Sequence, residues 1–287
     1  MNLYTINTGF FKLDGGAMFG VVPKSIWNKT NPADENNLCT WALRCLLVET
    51  GDRLILIDTG LGNKQDEKFF SHYYLQGTQT LEDSFKAVGF SMEDVTDVLL
   101  THLHFDHCGG AIFRSGDRLL PSFPQAVYWS NEDHWAWATE PNEREKASFL
   151  KENILPIRES GQLQMIPVGM EINKDRLATS PFLKDFNLRF VNGHTRAMML
   201  PQIEYKGRTI VFMADLLPSA SHLPIPYVMG YDMFPLTSLM EKKSFLEEAL
   251  AGNYVLFFEH DPLHTCCTLQ KTEKGIRAKS FFKLEEL

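Results

Sequence analysis

Four side chains able to bind a divalent cation fall within six residues of one another in the run LLTHLHFDHCGG, Leu99 to Gly110: His102, His104, Asp106 and His107. If the run leaves a strand, alternate residues share a face, so His102 and His104 address one point. Asp106 and His107 follow after the chain has bent and address a second point nearby. Gly109 and Gly110 allow another segment of backbone to approach closely. Four such groups in an otherwise apolar stretch are costly to bury unless a metal satisfies their charge and lone pairs. The spacing therefore predicts two ligands for each of two metals a few ångströms apart.

Two metals need more than four protein ligands. His194 in NGHT, Asp215 in FMAD and His260 in FFEHD supply them, each at a predicted strand end. A carboxylate such as Asp215 has two oxygens and can bridge both ions. The donors are imidazole and carboxylate with no thiolate, which suits zinc in an open catalytic site. The same donors accept Mn, Co or Fe. Cys108 beside His107 is read as a small core-filling thiol, and His72, His134 and His264 as ordinary surface histidines.

The elements that must position these groups can be traced along the chain. WALRCLLVET and RLILIDTG are β-rich runs joined at Gly51-Asp52, which predicts a hairpin. Leu81, Phe85 and Val88 have helical spacing, with Gly89 as the stop, and Ser91 caps a short helix. VLLT is a buried strand that ends where the histidine run begins. QAVYWS predicts a strand followed by a helix from Asn131. LRFVNGHT, RTIVFMAD and YVLFFEHD predict further strands, and LMEKKSFLEEALAG an amphipathic helix. Alternating strands and helices indicate an α/β protein, with polar clusters just past strand ends, where such folds assemble their sites.

Composition narrows the function classes. The chain has 287 residues, 44% hydrophobic and 22% charged, enough for a sizeable core without a metal staple. A net charge of −8 argues against nucleic acid as partner. No run approaches eighteen consecutive apolar residues, and MNLYTINTGFFKLDGG lacks the pattern of a secretory signal, so no membrane role is expected. Five cysteines without C-x-x-C spacing suit free thiols in a reducing, cytoplasmic setting. No linker or repeat divides the sequence, so a single domain over 1–287 is expected, with an extended N-terminal loop at about 10–40.

THLHFDH, followed in order by His194, Asp215 and His260, resembles the T-H-x-H-x-D-H signature and ligand order of the metallo-β-lactamase superfamily. The resemblance implies a four-layer αβ/βα sandwich with two mixed sheets and outer helices, a dinuclear centre, and Asp58 in LIDTG as structural support of the metal loop. LDGGAMFGVVPKSIW, MADLLPSASHLP and MGYDMFPLTS resemble the quorum-quenching N-acyl-homoserine lactonase branch. That branch carries a Tyr three residues after the bridging Asp; here the position is Pro218. The carbonyl is then polarised by metal alone, or His222, Tyr227 or Tyr231 takes over.

The expected reaction is ring opening of an N-acyl-homoserine or related lactone by a metal-bridging hydroxide. Asp106 and Asp215 are the catalytic carboxylates, with Asp106 either the proton shuttle or purely a ligand. Met18 and Phe19 are expected to cover the substrate or to pack at a homodimer interface. Two alternatives stand: hydrolysis of organophosphate triesters or aryl esters at the same centre, and a non-enzymatic metal-binding domain. A complete ligand set speaks against the second.

Overall fold

A computed structural model describes residues 1–77, 79–167 and 186–287, together with the backbone of 177–179. The chain forms two compact units. The first takes the described residues of 1–9, 43–72 and 76–172; the second takes those of 10–42, 73–75 and 173–287.

One sheet contains β1 (Asn2–Asp14), β2 (Leu38–Thr50), β3 (Arg53–Ile57) and β4 (Asp97–Leu99). A small hairpin of β5 (Ile112–Ser115) and β6 (Arg118–Pro121) precedes β7 (Val127–Asn131) and β8 (Leu163–Ile166). The order is β1-β2-β3-β4-β7-β8, with β2 antiparallel to β3 and the pairs β3–β4, β4–β7 and β7–β8 parallel. The Gly51-Asp52 hairpin forms as expected, with Gly51 at φ +59, where a side chain would be strained.

The helices of this unit are α3 (Glu67–Ser71), α4 (Leu81–Ala87), α5 (Phe105–Cys108), α6 (Glu132–Thr139) and α7 (Lys151–Glu159), after the short α1 (Gly15–Phe19) and α2 (Lys24–Trp27) of the second unit. Helix α4 starts at a capping box between Thr80 and Asp83 and ends before Gly89, whose φ of +87 terminates it. The core of the unit gathers Leu47, Leu56, Val98, Leu100, Tyr128 and Ile157 under the parallel strands. Removing these apolar side chains from water, about 25 cal/mol per Å², holds β4 rigid at the point where the histidine run departs.

In the second unit the sheet order is β15-β14-β13-β12-β11-β10-β9. Its strands are β9 (Leu177–Thr179), β10 (Phe186–Val191), β11 (Met198–Tyr205), β12 (Arg208–Phe212), β13 (Val255–Phe257), β14 (Cys266–Thr272) and β15 (Gly275–Phe282). In this sheet β12 and β13 pair in parallel, and the other described pairs are antiparallel. The long helix α8 (Pro235–Ala251) connects β12 to β13, with Pro235 at its first turn, where a missing N–H is harmless. Both sheets are mixed and flanked by helices, the α/β arrangement expected.

The N-terminal segment is more ordered than a loop over about 10–40. Residues 10–14 continue β1, and Asp14 caps α1 by accepting the Ala17 N–H at 2.7 Å. Gly-rich and Pro-flanked sequence concealed this. No helix of the described residues is long and apolar enough to cross a membrane.

Candidate metal centre

β4 ends at Leu99 and the chain turns through Thr101 into the short helix α5. The turn is tight because Gly109 and Gly110 lie against the backbone of Thr59 to Leu61. A Cβ on Gly109 would sit 2.0 Å from the Leu61 carbonyl oxygen, and one on Gly110 2.2 Å from that of Thr59. His102, His104, Asp106 and His107 are all buried here, from 0% to 8% exposed.

The partners of each imidazole decide which nitrogen keeps a lone pair. Asp58 accepts the Thr101 N–H at 2.7 Å on Oδ1 and the Thr101 hydroxyl at 2.6 Å on Oδ2. The Thr101 oxygen can then accept from His102 Nδ1, 3.1 Å away, which leaves Nε2 bare. His104 Nε2 lies 3.0 Å from Glu145 Oε1, an oxygen that can only accept when ionised, so its Nδ1 is bare. His107 Nδ1 donates to Asp58 Oδ2 at 3.1 Å, and its bare Nε2 faces Asp106 Oδ1 at 3.9 Å.

His102 Nε2 and His104 Nδ1 thus point at each other across 3.1 Å. With those tautomers the two lone pairs would repel at that distance, and a cation between them would relieve the repulsion. Tetrahedral zinc with bonds of 2.0–2.1 Å holds neighbouring ligand atoms about 3.3 Å apart, so the spacing is that of two ligands on one ion.

The second unit repeats this logic. His194 follows β10, and Gly193 before it has no room for a side chain: a Cβ would meet Ser238 Oγ at 2.2 Å and Ser238 N at 2.3 Å. Helix α8 clamps this turn, with Glu241 accepting the N–H groups of Asn192 and Gly193 at 2.9 and 3.0 Å. His194 Nδ1 donates to Asp232 Oδ1 at 2.9 Å, which turns Nε2 toward Asp215 Oδ2 at 3.1 Å. His260 Nδ1 donates to the Ala42 carbonyl at 2.8 Å, which turns its Nε2 toward Asp215 Oδ1 at 3.3 Å. Each oxygen of Asp215 therefore faces a different imidazole. Ala214, just before it, is held at φ +39, a strained value for a residue with a Cβ.

Burial on its own would lower the pKa of His194, but Asp215 and Asp232 outweigh it and the value is raised to about 10. The field at this nitrogen favours positive charge. Five histidines, each with one ring nitrogen against a carboxylate, hydroxyl or carbonyl and the other turned inward, make the pattern that orients metal-bound imidazoles. Each unit on its own carries a His/Asp set whose chemistry fits divalent metal.

The residues considered for substrate are placed as follows. Met18 and Phe19 are buried at 2% and 0%, and Phe19 stacks between Trp27 at 5.3 Å and His222 at 4.6 Å between ring centroids. Both ring nitrogens of His222 are engaged, Nδ1 with Ser219 at 2.8 Å and Nε2 with the Met18 carbonyl at 2.9 Å. Burial lowers its pKa to about 3, so at neutral pH it is uncharged. Tyr227 packs edge-on to Phe19 at 6.2 Å, and Tyr231 is 38% exposed. Cys108 is fully buried, its thiol pushed up to about 12 by burial, as befits a core residue.

Four supporting groups were not visible in the sequence: Glu145, Asp232, the Ala42 carbonyl and His134. His134, expected at the surface, is instead fully buried beside Leu103. Thr101 stood inside the quoted signature and could have been found; the others lie far along the chain from the histidines they support.

Comparison with known proteins agrees with this architecture. Residues 44–115 match the Metallo-beta-lactamase superfamily. The fold matches that of a probable metal-dependent hydrolase from Staphylococcus aureus, at TM-score 0.87 and 26% identity, over 100% of this chain and 98% of that one. AidC, a dizinc quorum-quenching lactonase solved with a product, is similar at TM-score 0.78 and 21% identity, over 98% and 95% of the two chains. An N-acyl homoserine lactonase of Bacillus cereus is 34% identical over 96 residues, 30% of this chain and 37% of the lactonase. The chain thus spans just over a third of that curated relative.

Proposed function

We propose that this chain, whose fold is that of the metallo-β-lactamase superfamily, is a dinuclear metal-dependent hydrolase that opens N-acyl-homoserine or related lactones. The observation that supports it most is Asp215, whose two oxygens face two differently oriented imidazoles, His194 and His260, at 3.1 and 3.3 Å. The proposed ligands are His102, His104, Asp106, His107, His194, Asp215 and His260, with zinc as the favoured metal. When bound, such ions lower the pKa of water toward neutrality and polarise a carbonyl as Lewis acids.

The chain's own residues do the rest. Asp58 and Glu145 hold His107 and His104 in the tautomers that leave one nitrogen bare. Asp232 does the same for His194. Asp106 is the carboxylate proposed to carry a proton to the leaving alkoxide, and Asp215 the one that bridges. Pro218 has no hydroxyl, and His222 spends both nitrogens inside its own unit, so Tyr227 and Tyr231 are the side chains proposed to approach a substrate carbonyl. Leu236 and Met240, exposed one turn apart on α8, support a homodimer. Five buried free cysteines support a reducing, cytoplasmic compartment.

The test is turnover of hexanoyl to dodecanoyl homoserine lactones beside methyl paraoxon, with His104→Ala as control. Lactone turnover well above triester turnover, lost in the control, is expected. Triester turnover alone would keep the metal chemistry and overturn the substrate.

A further inference from the structure

Leu103 lies between two proposed metal ligands in a stretch that is neither helix nor strand. Its backbone groups have no ladder to join, yet buried peptide groups need partners. Side chains supply them on both sides. The Leu103 N–H donates to His134 Nε2 at 2.8 Å, and the Leu103 carbonyl accepts from the Cys108 thiol at 3.3 Å.

Because a backbone amide can only donate, His134 Nε2 is the bare nitrogen and Nδ1 carries the hydrogen. The ring is held there by local structure. Asn131, the last residue of β7, caps α6 by accepting the His134 N–H at 2.9 Å, which fixes the first turn of the helix. Phe149 packs against both His134 and His104, with ring centroids at 5.9 and 4.8 Å. His134 is 0% exposed, so the ring has no solvent to turn into.

We propose that His134 is a positioning residue for the metal: by accepting the Leu103 N–H, it fixes the peptide between His102 and His104 and so the direction of both ligands. The inference rests on the proposed metal role of those two histidines. It assigns His134 no contact with metal or substrate. An apolar residue at 134 leaves the amide buried without an acceptor, and the peptide must rotate to find one. Gln offers an oxygen of similar reach and restores the acceptor.

The experiment compares wild type, His134→Leu and His134→Gln by zinc affinity in competition with a chromophoric chelator, by the visible spectrum after cobalt loading, and by thermal midpoint in excess chelator. Loss of an outer hydrogen bond of this kind typically weakens metal binding about 10–100-fold. His134→Leu is expected to lose affinity in that range and to change the cobalt spectrum, and His134→Gln to recover most of both. If His134→Leu yields no cooperative transition, His134→Gln carries the test, with zinc affinity within a few-fold of wild type expected. Wild-type affinity and an unchanged spectrum in His134→Leu would overturn the proposal. So would a His134→Gln protein as weak as His134→Leu or tenfold below wild type. A wild-type chain that binds no zinc would overturn the metal reading itself, and this inference with it.

Discussion

Replacing Asp58 by Asn changes one oxygen to an amino group and leaves the size of the side chain almost unaltered. Asp58 is fully buried and accepts three hydrogen bonds, from the Thr101 N–H, the Thr101 hydroxyl and His107 Nδ1, at 2.7, 2.6 and 3.1 Å. Asn can keep its oxygen on the Thr101 amide, but its amino group then faces the His107 Nδ1–H, donor against donor. The imidazole must move away or shift its hydrogen to Nε2, the nitrogen proposed for metal. Hydrogen bonds to charged groups contribute about 1.5–3 kcal/mol each, so Asp58→Asn is expected to cost about 2–4 kcal/mol of stability in excess chelator. Zinc affinity should fall about 10–100-fold. Urea unfolding and chelator competition measure the two effects separately. An Asp58→Asn protein with wild-type stability and wild-type zinc affinity would refute the assignment of Asp58 as the group that orients His107.

Chelation should abolish hydrolysis, and zinc should return it. Reloading to one hundred times the dissociation constant should stabilise the fold by about 2.7 kcal/mol per site, read as a rise in thermal midpoint. Gly193→Ala places a methyl group inside contact distance of Ser238 backbone. It should cost about 1–3 kcal/mol and weaken zinc binding together with stability, whereas a protein unchanged in both would show that α8 does not clamp the His194 turn. Burial lowers the Lys242 pKa to about 7, against an ordinary value of 10.5, with Asp232 opposing and Arg277 adding to the shift. Between those two values the unfolded chain binds more protons, so Lys242 makes stability rise with pH, by up to about 1.4 kcal/mol per pH unit. Below about 7 its penalty is felt in full. Urea midpoints from pH 6.5 to 9 in excess chelator test this, and Lys242→Met should flatten the profile even though it leaves the carbonyls of Pro224 and Tyr227 without their donor.

What the sequence disclosed was local. The β2–β3 hairpin, α4 with its glycine stop and the strand into THLHFDH each carry their signal within about ten residues, through periodicity, caps and turn chemistry. The glycines at 109 and 110 were legible for the same reason: two in succession after a ligand run imply close backbone approach. What was missed depends on distant pairing. Glu145 meets His104 41 residues away, Asp232 meets His194 38 away, and the Ala42 carbonyl meets His260 218 away. No periodicity marks such partners, since they are chosen by the tertiary fold. Met18 and Phe19 show the converse. Their glycine-rich surroundings suggested a mobile cover, but Trp27 and His222, remote in sequence, pack Phe19 into a buried aromatic stack.

The central claim is that seven side chains hold two metal ions, and metal stoichiometry tests it most directly. The chain would be stripped with chelator, titrated with zinc and assayed by elemental analysis, beside Asp215→Ala. Two equivalents per wild-type chain, with binding at both positions weakened in Asp215→Ala, are predicted. A wild-type chain that holds no tightly bound zinc, or a single equivalent indifferent to Asp215, would contradict the account.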